Sequence, residues 1–252
     1  MVGNVKIFTQ MSSTSEKGHA KNLANAALLS SYIAQLSAIY KPSNPLLSPD
    51  SLQSLYNQAV SDQQAVYNTL PPYTLAVDSR EAVFAPLSKK VTKLRKVYKA
   101  ISGVTPAQVE DFMTLARKLK GMRSTKPAPP ENPGENPPPQ VSVSQMSYDQ
   151  RTAGFTQLVE FIQSTPNYNP NETEFTVATL FAERDAMLQA TQTVADTYIP
   201  LNMARTSRNR SMYLAENNLV DTYNKAKDYL FTILDANTPL YKAISKIKFK
   251  KQ

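Results

Sequence analysis

Leu87-Ser-Lys-Lys-Val91-Thr-Lys-Leu94-Arg-Lys-Val-Tyr98-Lys-Ala-Ile101 is the stretch that decides the fold class. Its apolar residues Leu87, Val91, Leu94, Tyr98 and Ile101 stand 4, 3, 4 and 3 apart, the spacing of one face of an α-helix. Lys89, Lys93 and Lys96 fall on another face, flanked by Lys90 and Lys99. Gly103 stops this helix, and Thr105-Pro106 caps a following one with Val109, Phe112, Met113 and Ala116 on its apolar side.

The same grammar extends in both directions. Residues 20–40 carry two adjacent apolar stripes and end at Pro42 and Pro45. Ser48-Pro49-Asp50 opens a helix through Leu52, Leu55, Tyr56, Ala59, Gln63, Val66 and Leu70, which Pro71-Pro72 are expected to break or kink. A third helix is expected from there to Ile101. Further on, the pattern predicts helices over 147–164, 171–198, 201–234 and 239–247, with Pro200 as the interruption between two of them.

Composition agrees with this reading. The 252 residues include 18 Pro but only 6 Gly, with no Cys, no Trp and a single His, His19. So few glycines cannot serve the many tight turns of a β-sandwich, a barrel or a doubly wound sheet. Without Cys there is no disulfide scaffold, thiol nucleophile or Cys/His zinc site. The close carboxylate pairs, Glu172/Glu174 and Glu183/Asp185, are two apart and share no helical face. No nucleophile, base and orienting group come together, so no enzyme, cofactor or metal is expected.

Two features organise the chain. Lys126 to Pro139 holds seven of the prolines and reads as an extended linker, with a docking peptide as its functional alternative. The flanking halves echo each other. Leu52, Leu55 and Tyr56 match Val177, Leu180 and Phe181; Tyr73 matches Tyr198, Arg80 matches Arg205, and Thr105-Pro106 parallels Thr238-Pro239. The offset grows from 123 through 125 to 133. The expected fold is therefore all-α: two tandem, internally duplicated antiparallel helical bundles joined by a proline-rich linker. The divisions are a flexible N-terminus 1–19, a basic first bundle 20–123, the linker 124–145 and a second bundle 146–252.

The net charge of +8 lies wholly in the first half, where residues 1–123 carry 15 Lys/Arg against 7 Asp/Glu. Lys89, Lys90, Lys93, Lys96, Lys99, Arg117 and Lys120, extended by Lys118 and Arg123, form a candidate anion-binding face. Such a face reads first as the solvated side of an ordinary bundle helix, with nucleic acid or anionic lipid as its functional alternative. Arg205, Arg208 and Arg210 form a second cationic spot, expected to pair with Glu183, Asp185 and Asp196 of a neighbouring helix. The tail Lys246-Ile-Lys-Phe-Lys-Lys251 alternates basic and apolar residues and reads as a frayed end, with a small docking strand or a lipid contact as the alternatives. With no h-region in residues 1–18 and no apolar window of transmembrane length, a cytoplasmic location is expected.

Three blocks carry a resemblance. Ser79-Arg-Glu-Ala-Val-Phe-Ala-Pro-Leu-Ser-Lys89, Ser144-Gln-Met-Ser-Tyr-Asp149, and Tyr168-Asn-Pro-Asn-Glu172 through Ala178-Thr-Leu180 resemble uncharacterised tandem helical-bundle proteins of the Bacteroidota. The ending Pro239 to Phe249 is similar to theirs too, and the proline run departs from their charged linker. The resemblance implies intracellular tandem helical proteins and carries no catalytic motif. The function expected is that of a non-enzymatic structural or protein-interaction protein whose partner is another protein. The alternative is binding of nucleic acid or anionic lipid through residues 89–123.

Overall fold

The computed structural model describes residues 18–122 and 146–251. The proline-rich linker 124–145, Arg123 and residues 1–17 of the expected N-terminal segment lie outside the described residues. The chain is all-α, with no strand among the described residues. The helices are α1 (His19–Gln35), α2 (Pro49–Phe84), α3 (Leu87–Ala100), α4 (Pro106–Leu119), α5 (Tyr148–Gln163), α6 (Val177–Asn209), α7 (Leu219–Ile233) and α8 (Pro239–Ser245). Short 3-10 turns, Pro45–Leu47 and Thr173–Phe175, precede α2 and α6, and a π-helical turn, Arg210–Leu214, follows α6.

Helix starts follow their local signals. The Thr105 hydroxyl accepts from Gln108 N–H while the Gln108 side chain accepts from Thr105 N–H, a complete capping box before Pro106. Ser147, Asn218 and Thr238 cap α5, α7 and α8 through the N–H groups of Gln150, Asp221 and Tyr241.

Helix ends depart from expectation at the prolines. α2 runs unbroken through Pro71-Pro72, and α6 runs through Pro200. Each of these prolines removes one N–H from the i→i−4 ladder, which strips the carbonyls of Tyr67, Asn68 and Asp196 of their usual partners. All six residues are exposed, so water can serve the freed carbonyls. Buried Val66 and Ala76 on α2, and Val194 and Leu201 on α6, hold each helix on both sides of its proline. The break before α3 falls instead at Ala85-Pro86, and the break after α6 at 215–218.

The compact units do not follow the sequence halves. Among the described residues, unit 1 combines 18–71 with 199–251, and unit 2 combines 72–122 with 146–198. Each unit thus takes part of 20–123 and part of 146–252, because α2 and α6 each pass from one unit to the other. In unit 1, Leu29, Ile33 and Leu52 share a core with Tyr223, Leu230 and Ile244. The buried Tyr223 hydroxyl donates to the Leu52 carbonyl at 3.0 Å and bonds the Ser30 hydroxyl at 2.9 Å. In unit 2, Leu94, Tyr98 and Phe112 pack with Phe155, Leu158 and Ile162. Tyr98 stacks on Phe112 at 4.9 Å and hydrogen-bonds the Thr165 hydroxyl at 2.9 Å.

Local structure recurs along the chain in a register unlike the expected one. The Tyr40 hydroxyl donates to the Leu47 carbonyl at 2.8 Å, and the Tyr168 hydroxyl to the Phe175 carbonyl at 2.8 Å. Ser48 and Ser51 share a 2.9 Å hydrogen bond, as do Thr176 and Thr179. Thr69 bonds back to the Ala65 and Val66 carbonyls, and Thr197 to those of Thr193 and Val194. Corresponding residues here stand 128 apart, not 125. In this register Pro72 falls on Pro200 and Arg80 on Arg208. Tyr73 and Tyr198, matched at an offset of 125, are instead neighbours within unit 2, their rings 5.7 Å apart.

The C-terminal tail is not frayed. Ile247 and Phe249 are buried in the unit 1 core, while Lys248 and Lys250 point outward. Asn25 donates to the Lys248 carbonyl at 2.8 Å, and Asn22 both donates to the Lys250 carbonyl at 2.8 Å and accepts from its N–H at 3.1 Å. The alternation seen in the sequence is the two-sided pattern of an extended segment lying on a helical face.

Candidate functional site

The basic face is built on α3, whose apolar side is held by buried Leu87, Val91, Leu94 and Tyr98. Four of its seven cations are already engaged. Lys90 forms an ion pair with Glu183, its side chain only 14% exposed, and the Lys120 ammonium donates to the Thr92 hydroxyl. Lys93 stands 3.7 Å from Glu174, and Arg117 pairs with Glu110 at 2.7 Å. Lys89, Lys96 and Lys99 are exposed and pair with no carboxylate among the described residues. Arg95 on α3 and Lys118 on α4 are likewise exposed without one. The free charge is thus a row along the outer side of α3, narrower than the face read from the sequence.

One end of that row meets a concavity in unit 2 of about 430 Å³. Its apolar lining comes from Val83 at the end of α2, Pro86 and Leu87 at the start of α3, and Ala186 and Met187 on α6. Lys89, Lys90, Lys93, Glu174 and Glu183 form its charged rim. The break at Ala85-Pro86 opens this space, because it turns the chain between α2 and α3. Sequence periodicity could not show it, since Glu174 and Glu183 come from a segment remote in the chain.

The second cationic spot is not the ion-pair network expected. Glu183, Asp185 and Asp196 lie on α6, the same continuous helix that carries Arg205 and Arg208, so no neighbouring helix presents them. Glu183 is taken by Lys90, and Asp185 by Arg184 at 2.7 Å. Arg205, Arg208 and Arg210 make no ion pair among the described residues. Arg208 instead donates to the Asn209 side-chain oxygen at 3.1 and 2.9 Å.

Within unit 1 the only His joins a small polar cluster. The His19 ring nitrogen Nδ1 and the Tyr213 hydroxyl share a 2.8 Å hydrogen bond, and Asn22 reaches the same hydroxyl at 3.4 Å. Tyr213 is placed there by the π-helical turn, whose extra residue per turn carries the Ala215 N–H back to the Arg210 carbonyl. Burial, followed by the nearby Arg208 charge, holds His19 below its usual range. Burial also raises Tyr213. Both groups are therefore neutral at neutral pH and act here as hydrogen-bonding struts. A further concavity of unit 1, about 360 Å³, lies between Leu55, Gln58 and Asp62 of α2 and Ser207, Arg210 and Ser211.

Among the described residues no group of three or more His, Asp or Glu is placed to hold a metal ion, and no helix is long and apolar enough to cross a membrane. Comparison with family models, with curated proteins and with solved structures finds no match to the chain.

Proposed function

We propose that the chain is a non-catalytic, internally duplicated helical protein that binds another protein through the outer sides of α2 and α6. One observation carries this reading: most of the large apolar residues left in solvent on the two long helices recur at corresponding positions. Leu75 is 67% exposed and Met203, 128 residues on, is 65% exposed; Val60 and Leu188 repeat the same relation at 38% and 52%. A single exposed Leu is ordinary on any surface. Apolar residues kept outside at matched places in two diverged copies point to a retained contact, since burying each one in an interface stabilises by about 1.5–3 kcal/mol. A cytoplasmic location accords with this reading.

A second reading rests on the unpaired row Lys89, Arg95, Lys96 and Lys99, which could follow the phosphates of nucleic acid or anionic lipid. One experiment separates the two. A photo-crosslinking residue is placed at Leu75, at Met203 or at Lys96 of the full chain and activated in lysate of the native host. Discrete protein adducts at Leu75 and Met203, indifferent to salt between 50 and about 300 mM, are expected. Adducts confined to Lys96 that carry nucleic acid or lipid and vanish as salt rises favour the second reading. A chain that forms no adduct at Leu75 or Met203 overturns the first.

A further inference from the structure

We propose that the unit 2 concavity is a binding site for a small amphipathic monocarboxylate, such as a medium-chain alkyl acid. The cavity, about 430 Å³, falls in the size range of small-molecule sites, and its lining joins five apolar residues to five charged ones. Val83, Pro86 and Ala186 offer accessible apolar surface for an alkyl chain, above the buried Leu87 and Met187. The charged edge sets the sign of the ligand head. Three ammonium groups face two carboxylates there, and both carboxylates are committed, Glu183 to Lys90 and Glu174 to Lys93 at 3.7 Å. Lys89 is left with no acidic partner among the described residues. An anionic head completes that edge, whereas a cationic head meets an excess of like charge. Lys90 is a poor alternative anchor, because its ammonium is tied to Glu183 and lies 5.9 Å from the Phe175 ring centre.

A concavity recurs at the corresponding place in unit 1, and this second observation sets the site apart from a chance surface dimple. Leu55, Gln58 and Ser211 line the unit 1 concavity, and each stands 128 residues from Glu183, Ala186 or Val83 of the unit 2 cavity. The chemistry has diverged between them. Ser207, Ser211, Gln58, Asp62 and Arg210 make the unit 1 copy polar, so only the unit 2 copy keeps the apolar floor that an alkyl chain needs.

The test uses the full chain with its methionine methyls labelled with carbon-13. Met187 reports from the buried floor of the cavity, Met203 and Met212 report from unit 1, and Met187→Leu identifies the Met187 signal. Titration with octanoate is expected to move the Met187 methyl signal saturably while Met203 and Met212 stay in place. Octylammonium is expected to leave Met187 unmoved. Lys89→Ala, on an exposed side chain, is expected to weaken octanoate binding about threefold to fivefold and to flatten its salt dependence. The proposal is overturned by an unmoved Met187 signal with octanoate, by an equal response to octylammonium, by parallel shifts at all three methionines, or by unchanged affinity in Lys89→Ala.

Discussion

His19 shows how a single residue reads its surroundings. Its ring is bonded to Tyr213 at 2.8 Å, partly buried, and close enough to Arg208 to feel that charge, so its pKa lies below the usual 6.5. The unfolded chain takes up a proton near pH 6.5 while the folded chain resists it. The contribution of His19 to stability is therefore complete above pH 6.5 and falls as pH drops from there toward the folded pKa. Because this is the only imidazole in the chain, its proton NMR titration gives one unambiguous curve. The expected midpoint is below 6.5, and Arg208→Gln is expected to move it upward by removing the nearby positive charge. A native midpoint at or above 6.5, or one that ignores Arg208→Gln, sinks this account. None of this was legible in the sequence, where His19 stood on a polar segment 194 residues from Tyr213.

The elements divide into those that local chemistry determines and those that it does not. The starts of α4, α5 and α8 follow from Thr105, Ser147 and Thr238, since a cap acts within three residues. The apolar side of α3 was equally legible, because four spaced side chains fix which side is buried. Pro71, Pro72 and Pro200 do not end their helices, because the burial on either side outweighs their local cost. In α6, Pro200 sits on the exposed side of a 33-residue helix whose packing continues through Val194, Leu201 and Ala204. If that packing overrides the proline, then restoring the N–H must strengthen the helix. Pro200→Ala is expected to raise unfolding stability in urea by about 1–3 kcal/mol, since the new amide can bond the Asp196 carbonyl and Ala fits a helix interior far better than Pro. A loss of stability in that variant contradicts a continuous α6.

At the scale of the molecule, the question is which parts of the chain need each other. Periodicity marks a buried side on a helix but names no partner for it, so the two sequence halves looked like two bundles. The contacts run otherwise. Tyr223 of α7 bonds the Leu52 carbonyl of α2 across 171 residues, and Tyr98 of α3 bonds Thr165 just beyond α5 across 67. Both hydrogen bonds join a residue before the linker to one after it. Arg151 does the same in unit 2, donating to the Phe84 carbonyl at 3.0 Å, as does Asn22 in unit 1 with the Lys250 carbonyl at 2.8 Å. Cutting the chain between 124 and 145 therefore leaves both cores shared between the two fragments. A protease site placed in that segment and cleaved to completion is expected to give fragments that elute together at the mass of the intact chain. They are expected to keep its helical circular dichroism and to part only in denaturant, because separation exposes the apolar sides of both cores at once. Tandem bundles, each closed on itself, predict the opposite: two folded fragments that elute apart after cleavage under native conditions. Fragments that separate while remaining folded would refute the shared cores. Fragments that separate only as they unfold confirm them, since neither half of the chain then owns a core.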